Sequence, residues 1–303
     1  MKRLSAHHLS FLFFSALIFI GCSKPKENVT DTKPPTSEPS APKDPVTDSD
    51  PTPKKPEEST NSNPVTPIAK PQPRLITDAT IASHLASTAG KPFGQLTEDE
   101  LQAFRNLDLQ GREVADLTGV NKLTQLENLS LGNNQVEDIT GLSGMEYLTY
   151  LDLSTNRIQS LNGLDSLPNL AYLSIGGNQV FDVSLLSGLE NLEHLAISDN
   201  PLKDATPLGK ITSLRMLQIS DTQIRSLKGL ETLSGLEELY MANLPIDDVT
   251  PLHALKNLKR LNLHGTYVSL EKIAALRDAV PGLEIAHDPQ PNTDLPPDAL
   301  DIP

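Results

Sequence analysis

An apolar-x-apolar pair returns along this chain at a spacing of 22 residues. The pairs are Leu107/Leu109, Leu129/Leu131, Leu151/Leu153, Leu173/Ile175, Leu195/Ile197, Leu217/Ile219, Leu239/Met241, Leu261/Leu263 and Leu283/Ile285. A full unit reads LxxLxxLxLxxNxIxxIxxL, as in Leu123, Leu126, Leu129, Leu131, Asn134, Val136, Ile139 and Leu142. Within each pair the period is two, so both side chains leave one face of a short strand. The other apolar positions recur roughly every three residues, which suits a tight helical or extended return path. No unit encloses its own leucines, so consecutive units must stack to bury them.

The turn after each strand keeps the same register. Its second residue is Gly111, Asn133, Thr155, Gly177, Asp199, Asp221, Asn243 or Gly265, nearly all of them types that accept tight or left-handed turns. One residue further on stand Asn134, Asn156, Asn178 and Asn200, placed to form a structural ladder in which each amide bonds the backbone of adjacent turns. The ladder lapses at Thr222, Leu244 and Thr266. The expected fold class is an α/β solenoid, a leucine-rich repeat horseshoe with short parallel strands on its concave side.

Both ends of the solenoid need covers. Residues 75–106 read as a helical N-terminal cap. A helix over 78–89 carries Ile81 and Leu85, and a capping box at Thr97-Glu98-Asp99-Glu100 precedes Leu101 and Phe104. Residues 107–286 hold the repeats and a C-terminal cap: a helix over 269–280, with Leu270, Ile273, Ala274 and Leu276 as its apolar face, then a last strand Leu283-Glu284-Ile285. Residues 287–303, with five prolines, are expected to be disordered.

Asp204-Ala205-Thr206-Pro207-Leu208 and Asp248-Val249-Thr250-Pro251-Leu252, on a 22-residue unit, resemble the DIxPL signature of the internalin-type repeats of bacterial surface proteins. The resemblance covers residues 78–286 and implies the fold, with receptor binding of the internalin kind only an analogy. Locally, Thr206 and Thr250 read as N-caps, each followed by proline at the first helical position.

At the N-terminus, Lys2 and Arg3 precede the apolar run Leu9–Ile20 and then Gly21-Cys22, so residues 1–21 read as a secretion signal. Cys22 is the one cysteine of the chain, which rules out an intramolecular disulfide. Phe19-Ile20-Gly21-Cys22 resembles a bacterial lipobox, with Phe19 where leucine is usual. That resemblance implies cleavage before Cys22 and lipidation there, palmitate included, giving a membrane anchor. Ser23 fits outer-membrane sorting in a Gram-negative cell. The alternative is ordinary signal-peptidase cleavage that leaves Cys22 an incidental thiol. Residues 22–74 then form the lipidated cysteine and a disordered, proline-rich tether. Thirteen prolines lie between 23 and 73, and eight Lys plus Arg balance eight Asp plus Glu between 23 and 74.

Outward strand positions fall into columns. The residue before each apolar pair runs Asn106, Asn128, Tyr150, Tyr172, His194, Met216, Glu238, Arg260, and the residue inside it runs Asp108, Ser130, Asp152, Ser174, Ala196, Gln218, Tyr240, Asn262. Tyrosine is a favoured interface anchor. Tyr150, Tyr172, His194, Met216 and Tyr240, with Asp152 and Arg260, are therefore the candidate protein-binding residues. The competing reading is that aromatic side chains merely suit exposed strand positions.

From residue 75 onward, 31 Asp plus Glu stand against 15 Lys plus Arg. That balance lacks the basic footprint of a nucleic-acid binder. Asp199 and Asp221 suit turn chemistry, and His194 and His264 lie three rungs apart without a cysteine partner, so no metal site is expected. Ser198, His194 and Asp199 are close in sequence, but no oxyanion hole accompanies them, and no GxSxG, HExxH or phosphate loop occurs. No enzyme activity and no cofactor are expected. The reading is a monomeric, lipid-anchored protein of the bacterial envelope, on the outer membrane if the cell is Gram-negative, that binds a protein partner through the concave face. A periplasmic envelope scaffold and a passive structural surface protein remain as alternatives.

Overall fold

A computed structural model describes residues 75–92 and 94–289 of the 303-residue chain. The signal segment, Cys22, the tether and residues 290–303 of the tail lie outside the described residues.

The N-terminal cap begins with α1 (Ala79–Thr88). Asp78 starts it by accepting from the backbone N–H of Thr80 and Ile81 at 2.8 and 3.0 Å. Ile81, Leu85 and Ala86 are buried beneath it. The backbone N–H of Thr77 donates to the Thr118 carbonyl, and the Thr77 hydroxyl to Asp116, which ties the cap to the first repeat. A short α2 (Glu98–Leu101) follows, opened by the Thr97/Glu100 capping box.

Nine three-residue strands follow: β1 (Asn106–Asp108), β2 (Asn128–Ser130), β3 (Tyr150–Asp152), β4 (Tyr172–Ser174), β5 (His194–Ala196), β6 (Met216–Gln218), β7 (Glu238–Tyr240), β8 (Arg260–Asn262) and β9 (Glu284–Ala286). They form one parallel sheet in chain order. From β1 to β8 every rung pairs residues 22 apart, as in Leu107 with Leu129 and Leu239 with Leu261. Return paths use 3-10 turns at Val120–Lys122, Thr140–Leu142, Ser184–Gly188, Thr206–Lys210, Leu230–Thr232 and Thr250–Ala254. A single tight turn suffices because each path only has to bring the chain back one strand spacing. Leu129, Leu131, Val136, Ile139 and Leu142 show the result: none is more than 1% exposed.

Asn156 illustrates how the turns are held. Its side-chain amide donates to the carbonyls of Leu131, Leu153 and Ser154, and its oxygen accepts from Val136 N–H at 3.0 Å. Asn134, Asn178 and Asn200 repeat the pattern one rung apart. Later, Thr222 and Thr266 donate to carbonyls of their own turns, Ile219 and Leu263, while Leu244 sits buried in the core.

Three local expectations need correction. Thr206 and Thr250 do not cap their 3-10 turns; each is the first residue of one, with proline second. The capping group is the aspartate two residues earlier: Asp204 accepts from Thr206 N–H at 2.8 Å and Asp248 from Thr250 N–H at 2.9 Å. A carboxylate reaches the N–H two residues on more readily than a hydroxyl on the turn itself. The second concerns α3 (Leu270–Ala279), whose buried residues are Ile273 and Leu276, whereas Leu270 is 52% exposed and Ala274 lies outside. The third concerns the last rung, which pairs Leu261 with Ile285, not with Leu283. An α-helix advances only about 1.5 Å per residue against about 2.0 Å in a 3-10 turn, so the path through α3 takes two residues more.

Candidate protein-binding face

The strand residues before each apolar pair emerge from the sheet opposite the core. Tyr150, Tyr172 and His194 stand on β3, β4 and β5 in direct register. The Tyr150 and Tyr172 rings stack with centroids 4.5 Å apart and planes 12° from parallel. His194 continues the row 6.2 Å from Tyr172, at 29°. Parallel strands repeat at about 4.8 Å, so identical positions on adjacent strands bring flat rings to stacking distance without adjustment. All three rings are half-buried. Burial pushes the Tyr172 hydroxyl up to about 12, with Asp152 adding to the shift. Tyr150 is raised further, by burial first and then by Tyr172, Asp152 and Asp108. Both hydroxyls therefore stay neutral donors through the physiological range. The His194 imidazole is lowered from its ordinary value by burial, against the pull of Glu193 and Glu238.

Met216 pairs with His194 in the same column, and its sulfur accepts from Gln218 Nε2 at 3.8 Å. Tyr240 falls in the neighbouring column on β7 and leans along its own strand, donating to Glu238 Oε2 at 2.7 Å. Arg260 closes on the same Glu238 carboxylate. The seven candidate residues thus divide into an aromatic row on β3–β5, with Met216 at its end and Asp152 beside it, and a separate Tyr240–Glu238–Arg260 group on β7–β8. Asp152 accepts from Ser154 N–H at 2.9 Å.

Column reading missed the rim of this face. One residue before the aromatic column lies an alternating charge series on adjacent rungs: Glu193, Arg215, Glu237 and Lys259. Arg215 reaches Glu237 at 3.0 Å and Glu193 at 3.8 Å, and Lys259 meets Glu237 at 2.5 Å. The two cations hold the Glu237 carboxyl below its usual range, through its hydrogen bond to Lys259 first. Opposite signs at a spacing of 22 were the available signal. Off the sheet, Tyr147, Phe181 and Leu185 are exposed.

A leucine rich repeat family model matches residues 124–180. Internalin C2 of Listeria monocytogenes is 28% identical, with a TM-score of 0.66 over 73% of this chain and 99% of that one. The chain is an internalin-like leucine-rich repeat protein. A second Listeria monocytogenes internalin, InlF, shares the fold at 24% identity and a TM-score of 0.50, over 74% of this chain and 80% of its own. So does a leucine-rich repeat protein of Leptospira interrogans, at 21% identity and 0.51, over 64% of this chain and 58% of that one. No curated protein matches the chain. The leucine-rich repeat fold suggests a scaffold for protein–protein interaction. Its sheet presents three-residue strands whose outward side chains form one ordered surface, rather than an enclosed cavity.

Proposed function

We propose that the internalin-like domain recognises a protein partner through the outward face of its sheet, without catalysis, as part of a lipid-anchored protein of the bacterial envelope. The stacked, half-buried row Tyr150–Tyr172–His194 carries this reading. Three rings pre-ordered by the strand register lose little rotamer freedom on binding, and tyrosine edges offer both apolar area and a neutral hydroxyl. Met216 extends the row with an adaptable side chain. The anchor reading rests on Gly21-Cys22 after the apolar run, and the tether on the proline-rich composition of 22–74.

The test immobilises the full chain through a C-terminal tag and captures partners from envelope extracts and from candidate host surface proteins. Tyr150→Ala with Tyr172→Ala should weaken a captured partner by about tenfold or more, with unchanged unfolding midpoint. Equal capture by both proteins would move the binding surface elsewhere. For the anchor, Cys22→Ala should shift the protein from the membrane to the soluble fraction on cell fractionation and abolish incorporation of labelled palmitate. Retention in the membrane fraction would remove that part of the reading.

A further inference from the structure

Charge is distributed unequally along the solenoid. Residues 75–200 hold 17 Asp plus Glu against 5 Lys plus Arg, whereas residues 201–289 hold 11 against 10. The N-terminal half thus carries a net −12 and the C-terminal half a net −1. Of the five cations in the acidic half, Lys91, Arg105, Lys122 and Arg157 each already face a carboxylate: Glu100, Glu127, Glu98 and Glu137. In the other half, Arg215, Lys259 and Arg260 are absorbed by Glu193, Glu237 and Glu238 at the edge of the sheet.

The same polarity appears on the outward face. Over β1–β5 the strand positions hold no Lys or Arg; their charges are the carboxylates of Asp108 and Asp152. Both occupy one column, two rungs apart, with Ser130 between them, so roughly 10 Å separates their backbones. Each uses one carboxylate oxygen on a turn N–H, that of Gln110 or Ser154. Asn128, the other residue of β2 on this face, turns its amide toward Asn106 Oδ1.

We infer that the β1–β5 half of the sheet is the docking surface for a cationic protein segment, with an arginine or lysine of the partner between Asp108 and Asp152 and its flanking residues across the Tyr150–Tyr172–His194 row. Charge complementarity selects the occupant: an acidic face whose strand positions carry no Lys or Arg attracts a basic segment and repels an acidic one. A guanidinium between the two aspartates has an acceptor on either side, and tyrosine rings lie alongside for its planar face. The inference rests on the proposed binding role of this face and specifies its partner's chemistry.

The test titrates the full chain with nona-arginine and with nona-glutamate at low and physiological salt. Asp108→Asn with Asp152→Asn keeps the turn acceptors and removes two charges. Glu146→Gln with Glu190→Gln removes two charges from exposed positions off the strands. Nona-arginine should bind and nona-glutamate should not. The aspartate pair should weaken nona-arginine by about tenfold, and the glutamate pair by less than about twofold. Equal losses in both variants would reduce the effect to bulk charge and overturn the inference, as would absence of nona-arginine binding at low salt. If nona-arginine fails while partner capture still depends on Tyr150 and Tyr172, the cationic specificity falls and the binding face stands.

Discussion

Thr155 shows how strictly the repeat governs a single residue. It occupies the turn position held elsewhere by Asn133, Gly177, Asp199, Asp221, Asn243 and Gly265, and all take positive φ, from 55° at Thr155 to 70° at Gly265. Glycine, asparagine and aspartate accept that conformation, whereas a β-branched side chain crowds its own backbone. Thr155 is tolerated because stacked rungs on both sides dictate the turn: its N–H donates to the Gly176 carbonyl at 2.7 Å, and Asn133 N–H donates to the Ser154 carbonyl. Thr155→Asn should therefore stabilise the domain by about 1 kcal/mol, read as a higher urea midpoint with unchanged slope. A neutral or lower midpoint would mean that Thr155 gains contacts worth its strain. The αL requirement was legible in the sequence from the residue types of the column. The conformation of the threonine followed only from its neighbours.

At the scale of the element, the return path is opened by a side chain that periodicity of apolar residues does not reveal. Asp116, Asp138, Asp182, Asp204 and Asp248 each accept from the N–H two residues on, and Ser160 and Ser226 occupy the same position in the remaining units. The aspartates were visible as a 22-residue column, yet the DxTPL segments drew attention to threonine and proline. A hydroxyl and a carboxylate both cap turns, and only the position of the turn's first residue separates them. Hydrogen bonds from Thr118, Ser184 and Thr250 hold the carboxyls of Asp116, Asp182 and Asp248 below their ordinary value near 3.8. Folded, these groups bind protons less readily than when unfolded. Their stabilisation is present above about pH 4 and is lost as pH falls through the lowered values. Replacing all three by asparagine, which keeps the acceptor oxygen, should flatten the fall of the unfolding free energy below pH 4 relative to the parent chain. Equal slopes would show that other carboxyls govern acid unfolding. This use of acid also bears on composition, since several of the 31 acidic residues beyond position 75 serve the turns rather than any partner.

On the scale of the molecule, the architecture could be read almost entirely from spacing, because a solenoid's long-range contacts are between residues at one fixed offset. The 22-residue interval specifies the rungs from β1 to β8, and the core, turns and amide ladder follow from it. Candidate surface residues were less legible. Columns told which side chains share a face, and Tyr150, Tyr172 and His194 stand on adjacent strands in register. They could not tell that Tyr240 turns along its strand to Glu238, because that choice depends on a hydrogen bond and a neighbouring arginine rather than on backbone register. Nor does a count of apolar positions register an uneven run of charges. Stability and recognition are consequently written in different columns of the same repeat: the inward leucines can stay constant while outward positions vary from rung to rung.

A stack of equivalent rungs contains no intrinsic reason to end, and an open parallel edge could in principle accept the first strand of another copy. The 24-residue step into β9 breaks the phase of the lattice at that edge. Immediately beyond it, the Asp288 carboxylate folds back to Gly265 N–H at 2.7 Å and to His264 Nδ1 at 3.0 Å, and Pro289 offers no donor. End-to-end addition there would have to match an interrupted period and displace that fold-back. The same irregularity that ends the pattern places a boundary on the ladder of equivalent rungs at β9.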